Sequence, residues 1–190
     1  MDAMQIEKAS FIGSSWGGGH VLQFALQYRE RVDKLVLASP CCYKHQFNVM
    51  DILRVPLVGR LTLLFTSKAL IKGQLKSAYF KKEYVDAALV KAIYVPFFSE
   101  KFIPATIHAC KNADFGYVER HLSELTCKTC VVWGEKDELH PIWMAEQMKK
   151  DNEAVKLVIF PNSGHLLHSE DSKEFNKLVL DFLREGEGKI

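Results

Sequence analysis

The segment Gly13-Ser14-Ser15-Trp16-Gly17 carries the pattern G-x-S-x-G, which centres a serine on a sharp turn between a strand and a helix. Such a turn lifts the Ser15 hydroxyl clear of a sheet edge. It also sets that hydroxyl over a helix N-terminus, whose unpaired N–H groups and partial positive charge favour a developing oxyanion. The backbone N–H of Trp16 is the natural first donor to an oxyanion, and Gly13 and Gly17 are expected to be small so that neighbouring backbone can pass. A serine hydroxyl is a poor nucleophile until a general base takes its proton, and the base needs an acid to hold its tautomer. His165, in Asn162-Ser163-Gly164-His165, and Asp137, in Trp133-Gly134-Glu135-Lys136-Asp137, each follow an apolar run and supply those groups. Their competitors fit less well. Glu135 falls two residues early, Asp33 precedes its strand, and His168 lies one helical turn past the base and reads as a surface or insert-contacting histidine. His20, His45, His108, His121 and His140 have no partner pattern and read as ordinary histidines.

Elements must bring three residues so distant in the chain together. An apolar run over 9–12 reads as a strand ending in the glycine turn, and the stripe Val21, Leu22, Phe24, Ala25, Tyr28 predicts a helix over 20–29. The unbroken apolar run 35–38, stopped by Ser39-Pro40, predicts a strand buried on both faces. Further on, the pattern predicts strands over 130–133 and 156–160 and helices over 142–150 and 174–183. Strands alternating with helices imply an α/β fold with a parallel sheet of about four strands, because parallel neighbours need a helix-length crossover. Residues 41–126 break the alternation with helix-period stripes and many aromatics, among them Phe47, Phe65, Phe80, Phe97, Phe98 and Phe102. They read as an inserted helical unit whose aromatics serve mainly as its own core and secondarily point to an apolar substrate.

Composition narrows the function classes. Across 190 residues, 48% are hydrophobic and 25% charged, so disordered, collagen-like and disulfide-scaffold chains are excluded. The 25 basic and 23 acidic side chains nearly cancel, with no basic tract, which argues against a nucleic-acid partner. Five cysteines form an odd set suited to reduced thiols in a cytoplasmic protein, and Cys127-x-x-Cys130 lacks the second half of a zinc site, so neither a metal nor a cofactor is expected. Residues 1–8 contain Asp2 and Glu7 and do not resemble a secretory leader. The longest apolar stretch, 55–71, is broken by Arg60 and Lys68 and does not read as a membrane span.

With Ser15, Asp137 and His165 in that order, each after a strand, the chain resembles the α/β-hydrolase superfamily over nearly its whole length. Trp133-Gly134-Glu135-Lys136-Asp137 is similar to the family's W-G-x-x-D acid loop and Ser163-Gly164-His165 to its G-H base loop. The resemblance implies a hydrolase core made of residues 1–40 and 127–190, with residues 41–126 as a helical cap between the family's sixth and seventh strands. Cys41-Cys42 follows the strand after which some relatives place the acid, and the lack of a carboxylate there favours Asp137. Some twelve residues precede Gly13 where the family has four strands, so the N-terminal half of the sheet is expected to be absent. With it would go the second oxyanion donor, a loss of about 100-fold to 1,000-fold in rate. The first strand would then be an exposed edge, available to another copy or to an N-terminal fragment. Ser14 stands where many relatives have histidine, and Trp16 would narrow the pocket. The implied activity is hydrolysis of a carboxylic ester of a small apolar substrate through a Ser-His-Asp triad. Hydrolysis of a carbon–carbon bond is the alternative within the class, and a weakly active or non-catalytic remnant serving as a binding module is the alternative outside it.

Overall fold

The computed structural model describes residues 1–43 and 48–185, so His45 and Phe47 lie outside the described residues. Four strands, β1 (Ala9–Ser14), β2 (Val32–Ala38), β3 (Lys128–Gly134) and β4 (Lys156–Phe160), form one parallel sheet in the order β1-β2-β3-β4. The register pairs Ser14 with Ala38, Ala38 with Val132, and Gly134 with Phe160, so the carboxyl ends of all four strands share one rim.

Strand alternation divides the core in two. Leu35 and Leu37 of β2 and Val131 and Trp133 of β3 face one side, packed with Leu22 of helix α1 (Ser15–Gln27), Val118 of α7 (Phe115–His121) and Met148 of α8 (Trp143–Asp151). Val36, Ala38, Cys130 and Val132 face the other, against Phe175, Val179 and Phe182, the single apolar stripe of α10 (Ser172–Arg184). These strands are buried on both faces because helices cover both.

One boundary differs from the sequence-based expectation. Residues 13–19 read as a turn before a helix starting near 20, yet β1 runs through Ser14 and α1 begins at Ser15. A single residue makes the reversal: Ser15 has φ 51°, so Gly17, Gly18 and Gly19 are free to lie in the helix. Poor helix formers are tolerated there because the helix must come close to its neighbours. A Cβ on Gly19 would stand 2.5 Å from the Cys41 carbonyl oxygen.

Between β2 and β3 the described residues contain helices and short 3-10 turns and no strand. The helices are α2 (Asn48–Arg54), α3 (Pro56–Leu64), α4 (Lys68–Ala78), α5 (Ala87–Tyr94), α6 (Phe102–Asn112) and α7. Ser67, Asp86 and Asp114 cap α4, α5 and α7 by accepting the N–H of Leu70, Leu89 and Tyr117. Two small clusters hold this part, one around Ile71, Leu75 and Tyr79, the other around Leu53, Leu63 and Cys110. The expectation that its aromatics form mainly a core is corrected: Phe65, Phe80 and Phe98 are exposed and Phe97 only half-buried. A few short helices around small clusters offer too little interior to cover them.

Candidate active site

The sharp reversal at Ser15 places its side chain at the strand-end rim. Gly13 permits the turn, since a Cβ there would fall 2.7 Å from the Gly18 Cα and 2.3 Å from Val21 Cγ2. Gly17 has no such duty, because a Cβ there would meet nothing within 4 Å; the crowding expected on both sides of Ser15 exists only on the upstream side. The elbow is tied down by the Cys41 N–H, which donates to the Ser15 carbonyl at 2.9 Å. Trp16 is in the first turn of α1, where amides have no intrahelical acceptor, so its N–H is free for an oxyanion.

Asp137 follows β3 and His165 follows β4, 28 residues apart in sequence and joined in space. His165 Nδ1 donates to Asp137 Oδ2 at 2.8 Å, and His165 Nε2 accepts from Ser15 Oγ at 2.7 Å. Asp137 Oδ1 accepts from the N–H groups of Leu139 (2.9 Å) and His140 (2.7 Å), so one oxygen is held by the backbone and the other is left for the imidazole. The Asp137 side chain is wholly buried, where a carboxylate attracts an imidazolium far more strongly than it does in water.

The competing residues lie elsewhere. His168 is half-buried with its ring 5.9 Å from Phe175 of α10; burial, with His165 nearby, lowers its pKa. The Glu135 carboxylate reaches Lys136, and that of Asp33 reaches Lys8 and Ser10.

Solved structures of similar shape include the meta-cleavage product hydrolase CumD of Pseudomonas fluorescens IP01 (TM-score 0.77, 24% identity, 97% of this chain and 68% of that one). An esterase of Exiguobacterium antarcticum also superposes (TM-score 0.72, 18% identity, covering 96% and 69%). By sequence, a 2-hydroxy-6-oxo-6-phenylhexa-2,4-dienoate hydrolase of Burkholderia cepacia is 30% identical over 98% of this chain and 66% of its own length. A 2-hydroxy-6-oxononadienedioate/2-hydroxy-6-oxononatrienedioate hydrolase of Comamonas testosteroni is 29% identical with the same coverage. The chain thus spans about two thirds of the length of these curated relatives. The family described as serine aminopeptidase, S33, matches residues 3–172. The chain belongs to that family of α/β-hydrolases.

This α/β-hydrolase holds two residues at its site that sequence patterns missed. His140, which read as ordinary, is buried with its ring edge-on to His165, centroids 4.4 Å apart. Its Nδ1 donates to the Ser39 carbonyl at 3.0 Å, its Nε2 faces Cys41 Sγ at 3.8 Å, and its carbonyl accepts from Trp133 Nε1 at 2.8 Å. Burial, reinforced by the neighbouring His165, drives its pKa down to about 4, so it stands neutral. Its position three residues past Asp137 was the available signal, but a loop position carries no periodicity to show its direction. Cys41 is the second; burial pushes its thiol up to about 12, which makes it an inert wall rather than a rival nucleophile.

Asp137, His140 and His165 can each present one ligand atom within 4.8 Å of the others, the spacing a cation needs. A cation held there through His165 Nδ1 would displace that nitrogen's contact with Asp137, so such a site competes with the Ser-His-Asp arrangement instead of adding to it.

Proposed function

We propose that this chain is a serine hydrolase in which Ser15 attacks a carbonyl carbon, His165 carries the proton and Asp137 holds and stabilises the imidazolium. The observation that supports this reading is the unbroken pair of contacts, 2.7 Å from Ser15 Oγ to His165 Nε2 and 2.8 Å from His165 Nδ1 to Asp137 Oδ2. The hydroxyl proton passes to Nε2 as the Ser15 Oγ–carbon bond forms, and the oxyanion is met by the Trp16 N–H. The imidazolium returns the proton to the departing group, and a water activated by the same nitrogen releases the acyl group from Ser15.

For the scissile bond, the names of the relatives favour carbon–carbon cleavage in a 6-oxo-dienoate over the ester first expected. In such a substrate the departing carbon carries its electron pair into the conjugated chain and takes its proton from His165. An ester of an apolar acid is the second reading: an esterase shares the fold, and Leu64, Phe97, Ile103 and Ile107 of the inserted helices give apolar wall to a cavity that Arg60, Glu100 and Lys111 also line. The inserted helices act as the cap in both.

A fluorophosphonate probe tests the nucleophile: the folded chain is expected to label, and Ser15→Ala to lose the label together with about 10⁵–10⁶-fold of any turnover. Absence of labelling in a folded sample overturns the enzyme reading in favour of a non-catalytic remnant. Loss of dienoate absorbance, measured beside a panel of p-nitrophenyl esters, separates the two scissile bonds.

A further inference from the structure

The apolar stretch 55–71 enters the interior only in part, through Leu63 and Ile71. On α3, Gly59 and Leu63 turn inward, while Leu57 is 70%, Leu61 44%, Leu64 56% and the adjoining Phe65 77% exposed. Positions 57, 61, 64 and 65 fall on one stripe, the kind of face a helix normally turns to a core. Leu64 shares the lining of a cavity of about 590 Å³ with Phe98, itself 72% exposed, so the apolar surface continues from α3 across the mouth of that cavity. A continuous apolar surface of this kind marks an interaction site.

The surrounding charge selects the partner. Arg60 and Lys111 line the same cavity against one acid, Glu100, and the exposed Lys68 follows the stripe at the start of α4. Two copies meeting through this face would press these cations together. A surface of anionic lipid headgroups complements them and accepts the apolar side chains at the acyl boundary. We propose that the exposed face of α3, with Phe65 and Phe98, docks this chain on an anionic lipid surface. The run cannot span a bilayer, and no helix among the described residues is long and apolar enough to do so; the fit is to lying on the surface. Packed side chains connect this face to the candidate site. Phe97, Ile103 and Ile107 of the cavity wall pack on Leu53, Leu63 and Cys110, and Trp16, next to Ser15, packs on the same cluster.

Vesicle flotation of the full chain tests the proposal, with phosphatidylcholine alone and with phosphatidylcholine plus phosphatidylserine. The chain is expected to float with the anionic vesicles and to bind them at least about tenfold more weakly in high salt, because the ionic part is screened. The combined variant Leu57→Ser, Leu61→Ser, Phe65→Ser is expected to lose at least about tenfold while keeping its circular dichroism spectrum. Phe98→Ser alone, at a turn, provides the same readout should the combined variant unfold. No flotation of the parent chain, or equal flotation of the folded variants, overturns the proposal. So does a concentration-dependent dimer in sedimentation velocity that these substitutions abolish without any vesicle binding, which assigns the face to a second copy.

Discussion

Asp137 divides its two oxygens between two duties, and the division is what the candidate base depends on. Oδ1 is taken by the Leu139 and His140 amides, which leaves Oδ2 to His165 Nδ1. Asp137→Asn keeps the shape but sets an amide toward Nδ1, favouring the wrong tautomer. A fall of about 10⁴-fold in kcat with unchanged circular dichroism is the expected outcome. His140 makes a different prediction. Its folded pKa, near 4, lies below the ordinary 6.5, so on acidification the unfolded chain takes up the proton first. The stability linked to it is therefore complete above about pH 6.5 and is lost as the pH falls toward 4, by up to about 3 kcal/mol. His20 and His168, both lowered by burial, act in the same direction. Calorimetry between pH 7 and 4.5 should show Tm falling, and a folded His140→Phe should flatten that slope; an unchanged slope removes His140 as its source.

The base loop after β4 is held mostly by other elements. Glu170, buried in α9 (Leu167–Glu170), accepts from the N–H groups of Gly164 (2.9 Å), Phe80 (3.2 Å) and Lys81 (2.8 Å), and His165 N–H donates to the Ala78 carbonyl at the end of α4 (2.8 Å). The inserted helices and the base loop are thus fastened at the same carboxylate. Glu170→Ala would strand three amides; a cost of about 2–5 kcal/mol in stability and faster hydrogen exchange over 78–81 and 163–166 are expected. Gly134 ends β3 directly beneath this loop, and a Cβ there would lie 2.1 Å from the Gly164 carbonyl oxygen. Backbone cannot yield as a side chain tip can, so Gly134→Ala should displace His165 and reduce fluorophosphonate labelling more than it reduces Tm. Elements of this kind differ in how readable they were. The bounds of the strand over 156–160 are legible because Lys156 and Pro161 frame its apolar run. The start of α1 at Ser15 is hidden in the sequence, because three glycines signal a turn when only their order is seen.

At the scale of the molecule, β1 is the outermost strand among the described residues, and its outer edge carries no partner among them. Ile12 pairs in register with the wholly buried Val36, yet is itself 55% exposed, because α10 covers the sheet only from β2 onward on that face. An edge strand with an uncovered apolar residue is a template for pairing. Sedimentation velocity of the chain is expected to show association that Ile12→Lys lowers at least several-fold. A monodisperse monomer at high concentration is the contrary result. This edge and the α3 face are separate surfaces, so Ile12→Lys should leave vesicle binding intact.

The alternation of strand and helix, the order Ser, Asp, His and the burial of β2 on both faces were all legible in the sequence, because apolar periodicity and turn residues are local signals that each short segment carries whole. Tertiary structure alone decided what depends on direction across space. It turned His140 toward His165 instead of solvent, freed Gly17 of a packing duty while binding Gly134 to one, and left Phe65 and Phe98 outside. Side chains on loops and on short inserted helices have no period that ties their orientation to their order, so only the packing of distant segments fixes which neighbour each one meets.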